Sequence, residues 1–402
     1  MQLKNIWILT MLLLMQFFAF GQNEQKNYHN NGKLRQIGLY DKNNQQTGVW
    51  KLFHENGQLE QVGQYANGVE VGEWKLYYPN GKPSSIEWFS NGKLTGESKS
   101  YYEDGSLQII GNYEEGRKIG EWKWYHENGK LATIGKDDND EKVGEWKEYF
   151  PNGKLNEIGS WENGKLTGKW ESYYIDGKIY KTGMYANGNE TNEWKVYSEN
   201  GKLLEIGSYE NGKEIGEWKK YHENGQLLSI GTYENQNKTG EWKWYYESGQ
   251  LERIGNYKNG TEVGEWKEYY ENGKLSSIET YNNGQLIGLS KRYHENNQLW
   301  IIGNYENGKQ TGEWKWFHEN GKLKTIGNYL NGKSVGEWRS YHENEQLEKI
   351  GQYDENGKRT GEWKTFHNNG KLESIGKSID GKQIGEWKYY DKKGKLINKE
   401  PH

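Results

Sequence analysis

Cysteine is absent from all 402 residues. That excludes a disulfide framework, a thiolate metal site, a cysteine nucleophile and a lipobox-type lipid anchor. Proline occurs only 4 times, so the 54 glycines do not belong to a Pro/Gly-rich linker. Hydrophobic residues are scarce at 32%, and mean hydropathy is −1.18, values that lean toward disorder. An excess of either charge is also missing. The net charge is −4, both signs are finely mixed, and no basic stripe or polybasic run stands out. This argues against nucleic acid as a partner and against electrostatic docking to anionic lipid. Beyond the first 21 residues no run is apolar enough to span a membrane.

What the chain has instead is rings. Trp occurs 20 times and Tyr 31 times, and aromatics reach 15%. Disordered chains are poor in aromatics. A chain low in aliphatics but rich in Trp, Tyr and Gly points to a thin β structure in which rings supply most of the buried area.

The N-terminus reads as a secretory signal peptide over residues 1–21. Lys4 gives a positive start, and Ile6 to Phe20 is apolar apart from Thr10 and Gln16. Ala19-Phe20-Gly21 offers small residues for cleavage before Gln22. A membrane anchor is the rival reading, but the run falls short of the roughly 20 residues a spanning helix needs. Export to the periplasm, the cell surface or the extracellular space is therefore expected.

A repeat governs the rest. Gly followed two residues later by Trp marks its phase at 48, 72, 120, 144 and 168, then at 216, 240, 264, 312 and 336. Gly96 and Gly288 keep the phase without the Trp, and Asn192 fills one slot. Gly361 and Gly385 complete the series after a single step of 25 in place of 24. The unit reads G-E-W-K-x-Y-H-E-N-G-K-L-x-x-I-G-x-Y-E-N-G-K-x-x, and residues 312–335 are a close copy. About fifteen units fill 48–390, with a polar partial unit at 22–47 and a charged polar cap at 391–402.

Each unit holds two Asn-Gly signals, as at 305–309 and 318–323. Asn-Gly favours type I′ turns, which need φ > 0 at both central residues. Runs of five to seven residues between turns have strand length. The expected fold is all-β: an elongated, twisted, single-layer antiparallel meander of about thirty strands, roughly 140 Å long at ~4.8 Å per strand.

A pairing rule supports this register. A Gly precedes the next unit's Trp by about eleven residues, as in Gly111/Trp122, Gly207/Trp218 and Gly327/Trp338, and thirteen such pairs occur. Two units lose the Trp, at Ser98 and Ser290, and the same two carry Glu87 and Glu279 in the Gly slot. An indole lying flat over a backbone without Cβ explains both the rule and its exceptions. The surroundings of the two exceptions match at an offset of 192 residues, which indicates a block duplication. They read as inherited variation or as two equivalent ligand notches.

The Tyr-x-Asn-Gly-Lys-x-x-Gly-Glu-Trp stretches at 209–218 and 305–314 resemble MORN repeats, most closely the bacterial repeat variant. The resemblance covers nearly the whole chain after the leader. It implies an elongated sheet of stacked hairpins, protein–protein interaction and dimerisation, and in some relatives phospholipid binding or an antitoxin role.

Candidate chemistry is sparse. Seven His residues, His54, His126, His222, His294, His318, His342 and His367, share one position before a turn, and His29 fits the same slot. Tyr78, Phe150 and Tyr246 occupy it elsewhere, so it reads as strand-end packing. Neighbouring copies would stand roughly 10 Å apart, too far for one metal ion to bridge. Asp137, Asp138, Asp140 and Glu141 replace a Tyr-Glu-Asn-Gly turn and read as a solvated turn, with calcium as the rival. Glu121, Glu217 and Glu313, each with Lys two positions on, read as solubilising charges.

Catalysis needs a unique constellation, and here nearly every residue is one copy of a pattern. The chain is expected to be non-catalytic and to carry no cofactor. The most suggestive surface is the ladder of Trp74, Trp122, Trp146, Trp170, Trp194, Trp218, Trp242, Trp266, Trp314 and Trp338, together with Glu87, Ser98, Glu279 and Ser290. Exposed, the ladder could stack on a repeating polymer; packed over Gly, it is the core of the sheet. The leading expectation is an exported scaffold that binds a protein partner or its own copy. A glycan- or lipid-binding protein and an antitoxin-like component are the alternatives.

Overall fold

The structure is a computed structural model that describes residues 23–402. The expected leader and its cleavage point before Gln22 lie outside the described residues. Those residues form 33 strands and no helix, so no described helix is long and apolar enough to cross a membrane. The chain divides into two compact units, one ending at Thr191 and one starting at Asn192.

In the first unit each strand from Asn23–Tyr28 onward pairs antiparallel with its sequence neighbour, through Leu34–Tyr40, Gln46–Phe53, Leu59–Ala66 and so on to Ile179–Ala186. The second unit follows the same rule from Asn189–Tyr197 to Leu396–Pro401. In each unit the sheet is an open meander, as the two-turn repeat predicts. Most strands run to 8 or 9 residues, longer than the five to seven expected, because the short turns consume so few.

The two Asn-Gly turns are not alike. The second, as at Asn67-Gly68, has φ of 51° and 78°, a type I′ pair. In the first, as at Asn56-Gly57, only the Gly has positive φ, at 92°. There the Gly57 N–H donates to the His54 carbonyl and the His54 N–H to the Gln58 carbonyl, each at 2.8 Å. This is a longer hairpin loop closed by a left-handed Gly, with a register shift beside it between Leu52 and Phe53.

The marker Gly has a reason that its spacing does not reveal. In the hairpin of Leu299–Glu306 with Lys309–Phe317, Asn304 pairs with Thr311 and Ile302 with Lys315. Gly312, Glu313 and Trp314 together therefore stand against Gly303. Gly312 has φ of 65°, so the marker Gly is the left-handed residue of a bulge. Asn192, at φ 56°, fills the slot because Asn tolerates that region best among residues with a side chain.

The bulge swings the indole over the glycine. A Cβ added to Gly303 would lie 2.1 Å from Trp314 Cδ2, and at Gly111, Gly207 and Gly231 the distance to the matching Trp is 2.0 Å. No side chain fits there. Most indoles then meet the Tyr of the preceding unit edge-on, as in Tyr233–Trp242 at 5.1 Å and 86° and Tyr305–Trp314 at 5.1 Å and 89°. Trp and Tyr thus alternate in a herringbone along one face, each pair adding about 0.5–1.5 kcal/mol beyond its buried area.

Two outcomes follow. Trp242→Ala costs about 3–5 kcal/mol by loss of a buried large ring, and hydrogen exchange in Leu227–Glu234 and Asn237–Tyr245 reports it. Gly231→Glu alone is comparably damaging, but combined with Trp242→Ser it costs less than the sum; strict additivity would refute the indole-over-glycine account. Separately, Glu345 takes a first-turn Gly slot at φ 68°, a region that costs a side-chain-bearing residue about 1–2 kcal/mol. Glu345→Gly therefore raises stability by about 1 kcal/mol in local exchange of the flanking strands.

Candidate interaction surface

The first-turn edge of each unit is a staircase of side chains that reach forward one unit. His54 Nε2 lies 2.8 Å from the Tyr77 carbonyl, His126 Nε2 2.8 Å from that of Tyr149, and His318 Nε2 2.9 Å from that of Tyr341. Tyr in the same slot does the same: Tyr78 donates to the Tyr101 carbonyl at 2.6 Å and Tyr246 to that of Tyr269 at 2.7 Å. His and Tyr interchange because each brings a donor to this carbonyl; Phe150, which has none, fills the slot by packing alone. The turn Asn adds a second rung, as Asn56 Nδ2 to the Pro79 carbonyl at 2.7 Å, and Lys a third, as Lys130 Nζ to the Asn152 carbonyl at 2.8 Å.

Along the strands runs a row of exposed ion pairs. Glu121 pairs with Lys123 at 2.6 Å, Glu217 with Lys219 at 2.6 Å and Glu313 with Lys315 at 2.7 Å, and the pattern recurs in most units. Exposed pairs of this kind contribute about 0–1 kcal/mol each to stability. Their regularity is a property of the surface more than of the fold.

The tryptophans lie elsewhere. Trp74, Trp122, Trp146, Trp194, Trp218, Trp242, Trp266 and Trp314 are only 1–6% exposed. Trp338 and Trp170 are half-buried. Trp170 is turned differently over Gly159 and donates from Nε1 to Glu157 Oε1 at 2.6 Å. As an exposed stacking face the ladder is corrected: the glycines take one side of each indole, and tyrosine edges and lysine stems cover much of the rest. The exposed large rings are others, among them Trp88 and Trp300, at 44% and 40%.

The two exceptional sites do not match in structure. Glu279 and Ser290 are buried, and Glu279 accepts from Arg292 Nη2 at 2.8 Å, from Arg292 Nε at 3.2 Å, from Ser290 Oγ at 3.3 Å and from the Tyr281 hydroxyl at 3.1 Å. Arg292 and Tyr281 thus close the gap left by the missing indole. Ser98 is likewise buried, but the counterparts of Arg292 and Tyr281 beside Glu87 are Ser100 and Phe89. Neither an arginine nor a tyrosine fills those two slots, and burial pushes the Glu87 carboxyl above its ordinary value against the opposing hydrogen bond from Ser85.

The acidic cluster is split. Asp138, Asp140 and Glu141 are exposed turn residues, and Asp140 Oδ1 accepts the Lys118 N–H at 2.8 Å. Asp137 is buried, 5% exposed, so this part of the cluster is not a solvated turn. It occupies the Tyr slot of the herringbone and lines an open groove with Lys118, Trp124, Thr133, Lys142 and Trp146. Burial pushes its carboxyl up, Lys118 and Lys142 pull it down, and Asp140 pushes it up again. No group of three potential metal-ligating side chains is placed to hold an ion among the described residues.

The profile of the MORN repeat variant matches sixteen successive segments, from 22–42, 46–67 and 70–91 through 118–135, 214–235 and 310–331 to 359–378 and 383–402. The chain belongs to the MORN repeat variant family. The profile counts the partial unit at the N-terminus as a repeat, one more than the fifteen read from the Gly spacing. No curated protein matches the chain. Solved structures that align with it include TcdB2-TccC3-TEV, at 11% identity over 92% of this chain and 22% of that one, with a TM-score of 0.17. TcdB2-TccC3 aligns at 12% identity over 94% and 27%, with a TM-score of 0.14. The Photorhabdus luminescens Tc holotoxin pore aligns at 12% identity over 94% and 22%, with a TM-score of 0.17. This chain spans about a quarter of the length of those chains, 22–27%. Likeness at this level carries no argument about activity.

Within this MORN array, sequence reasoning singled out Asp137 but missed that it replaces a ring. The available signal was its slot: the corresponding residues in the other Trp-x-Trp units are Tyr257 and Tyr329.

The two glutamates give a paired prediction. Glu87 has a raised folded-state pKa, so the folded state holds its proton more tightly than the unfolded chain. Its share of stability is present at acid pH and lost as pH rises from the ordinary glutamate value, about 4.3, through the raised one. Glu87→Gln removes that loss, seen in the difference between wild-type and variant stability against pH. Glu279→Gln instead weakens the charged hydrogen bonds to Arg292, at a cost of about 2 kcal/mol at pH 7. Identical profiles for the two variants would show the sites to be equivalent after all.

Proposed function

We propose that this chain is an exported, non-catalytic interaction scaffold whose repeated polar surface binds a protein partner or a second copy of itself. The observation that carries this reading is the row of Glu–Lys pairs that recurs from unit to unit, as in Glu121/Lys123 and Glu145/Lys147 and again in Glu217/Lys219 and Glu241/Lys243. A partner with matching periodicity gains many weak contacts at once, and linked weak contacts reach avidities far above any single one. With most ladder indoles buried, this polar surface is what a partner meets. The signal-like leader supports export, and the family supports a scaffold.

The test uses the chain from Gln22 as bait in native envelope extract, beside a variant with Lys123, Lys147, Lys219 and Lys243 each changed to Glu. One dominant protein, or the chain itself, is expected on wild-type bait, weakened by the variant and by salt above ~0.3 M, since exposed charges are screened. A bound glycan or lipid with no protein would overturn the reading. N-terminal sequencing of the native protein is expected to begin at Gln22; an unprocessed cytoplasmic chain would remove the export element.

A further inference from the structure

Three places in the chain share one aromatic arrangement, and one of them is missing a ring. Where a unit carries Trp-x-Trp, its second Trp leans on the next unit's ladder Trp. The centroid distances are 5.6 Å for Trp124–Trp146, 5.7 Å for Trp244–Trp266 and 5.6 Å for Trp316–Trp338, at 37°, 34° and 36°. In the second and third copies a tyrosine completes the cluster, with Tyr257 5.1 Å from Trp266 and Tyr329 5.1 Å from Trp338. In the first copy that slot holds Asp137.

A second change widens the gap. In the Tyr257 copy, the Arg253 guanidinium lies 4.1 Å from the Trp266 ring and pairs with Glu262 at 2.8 Å. The corresponding residues beside Asp137 are Thr133 and Lys142. The phenol of both sister copies is gone, as is the guanidinium of the Tyr257 copy (the Tyr329 copy also carries a threonine there, Thr325), and a groove of about 440 Å³ lies there, floored by Asp137 and walled by Trp124 and Trp146. Asp137 is 95% buried (5% exposed) and has no hydrogen bond, and no ion pair within 4 Å, among the described residues. Its carboxylate faces the groove, where Lys118 and Lys142 offset its charge without a direct hydrogen bond.

The charges around it select the guest. Lys142 Nζ already sits 4.2 Å from the Trp146 ring and Lys118 Nζ 4.8 Å from that of Trp122, so the cation positions over the indoles are filled. An anionic guest would face Asp137, Asp140 and Glu148. The remaining chemistry is neutral: a ring with an apolar face for the indoles and several hydroxyls. A hydroxyl donates to a carboxylate and accepts from an ammonium, and this groove presents both. We propose that the Asp137 groove binds a pyranose unit of a neutral glycan. Its C–H face lies along Trp124, which is less buried than Trp146, with the Lys118 ammonium moved off that ring; one hydroxyl donates to Asp137, and others accept from Lys118 and Lys142. The site is separate from the row of ion pairs and stands or falls independently of the scaffold reading.

The test is an array of neutral and acidic oligosaccharides probed with the chain from Gln22, with hits titrated calorimetrically. Asp137→Tyr restores the ring found in both sister copies, so it folds, as circular dichroism and thermal melting would verify, and it fills the groove. Neutral sugars are expected to bind wild type with dissociation constants of about 1 mM or below, with Asp137→Tyr weakening them at least ~10-fold and Asp137→Asn by less. Absence of neutral-sugar binding at ~10 mM would overturn the proposal, as would binding that Asp137→Tyr leaves unchanged. Binding confined to acidic sugars or to tyrosine-containing peptides would overturn it as well.

Discussion

A flat indole needs a backbone with nothing on it, and in this chain that requirement sets nearly everything else. A Cβ on the underlying glycine would sit 2.0–2.2 Å from Cδ2 of the indole at all but one of the close approaches measured. To bring the ring there, the strand must bulge, and the bulge needs a left-handed residue at the marker position. Two glycines and a tryptophan in each unit are therefore one device. The tyrosine edge that meets most indoles adds the link to the next unit. A sheet with few aliphatic side chains holds together because each repeat supplies half of its neighbour's packing.

That device also explains where the surface can vary. Residues outside it are free to be charged, and the Glu–Lys row occupies this freedom. Where the indole is lost, the glycine beneath it is lost too, while the marker glycine stays, as at Gly96 and Gly288. Ser290 and Glu279 replace ring and glycine together, and Arg292 and Tyr281 fill the space. At Ser98 and Glu87 the same exchange is left without that repair, and at Asp137 only the tyrosine edge is exchanged. A polar site in such a sheet arises by subtraction from a pattern, so its chemistry depends on what the neighbouring copies still carry.

The fold was legible because its driving contact recurs. Thirteen Gly/Trp pairs and two coordinated exceptions expose a cross-strand contact that a single pair would not. What was not legible is geometry that a shared dipeptide conceals. Asn56-Gly57 and Asn67-Gly68 look alike in sequence yet close different turns, because the flanking register shift is set by the pairing strand. The His/Tyr slot looked like packing because the acceptor is a carbonyl one unit away, which no side-chain pattern records. Asp137 was visible as a charge, whereas its burial depends on the indoles of two units.

The two edges of the sheet obey different rules of length. On the first-turn edge, most loops are tied to the next by His or Tyr, Asn and Lys reaching a carbonyl 21–24 residues ahead. An added residue there would disturb the rungs into and out of that loop. On the second-turn edge, the extra residue at Asp354-Glu355 is absorbed locally, with Asp354 Oδ1 accepting the Asn356 and Lys358 N–H groups at 2.9 Å. Asp41 treats its own longer loop identically, accepting from Asn43 and Gln45 at 2.8 Å. One margin of the protein thus acts as a ruler with fixed graduations. The other is a selvedge where the lineage can add length, and where a loop of foreign sequence can be grafted without disturbing the count.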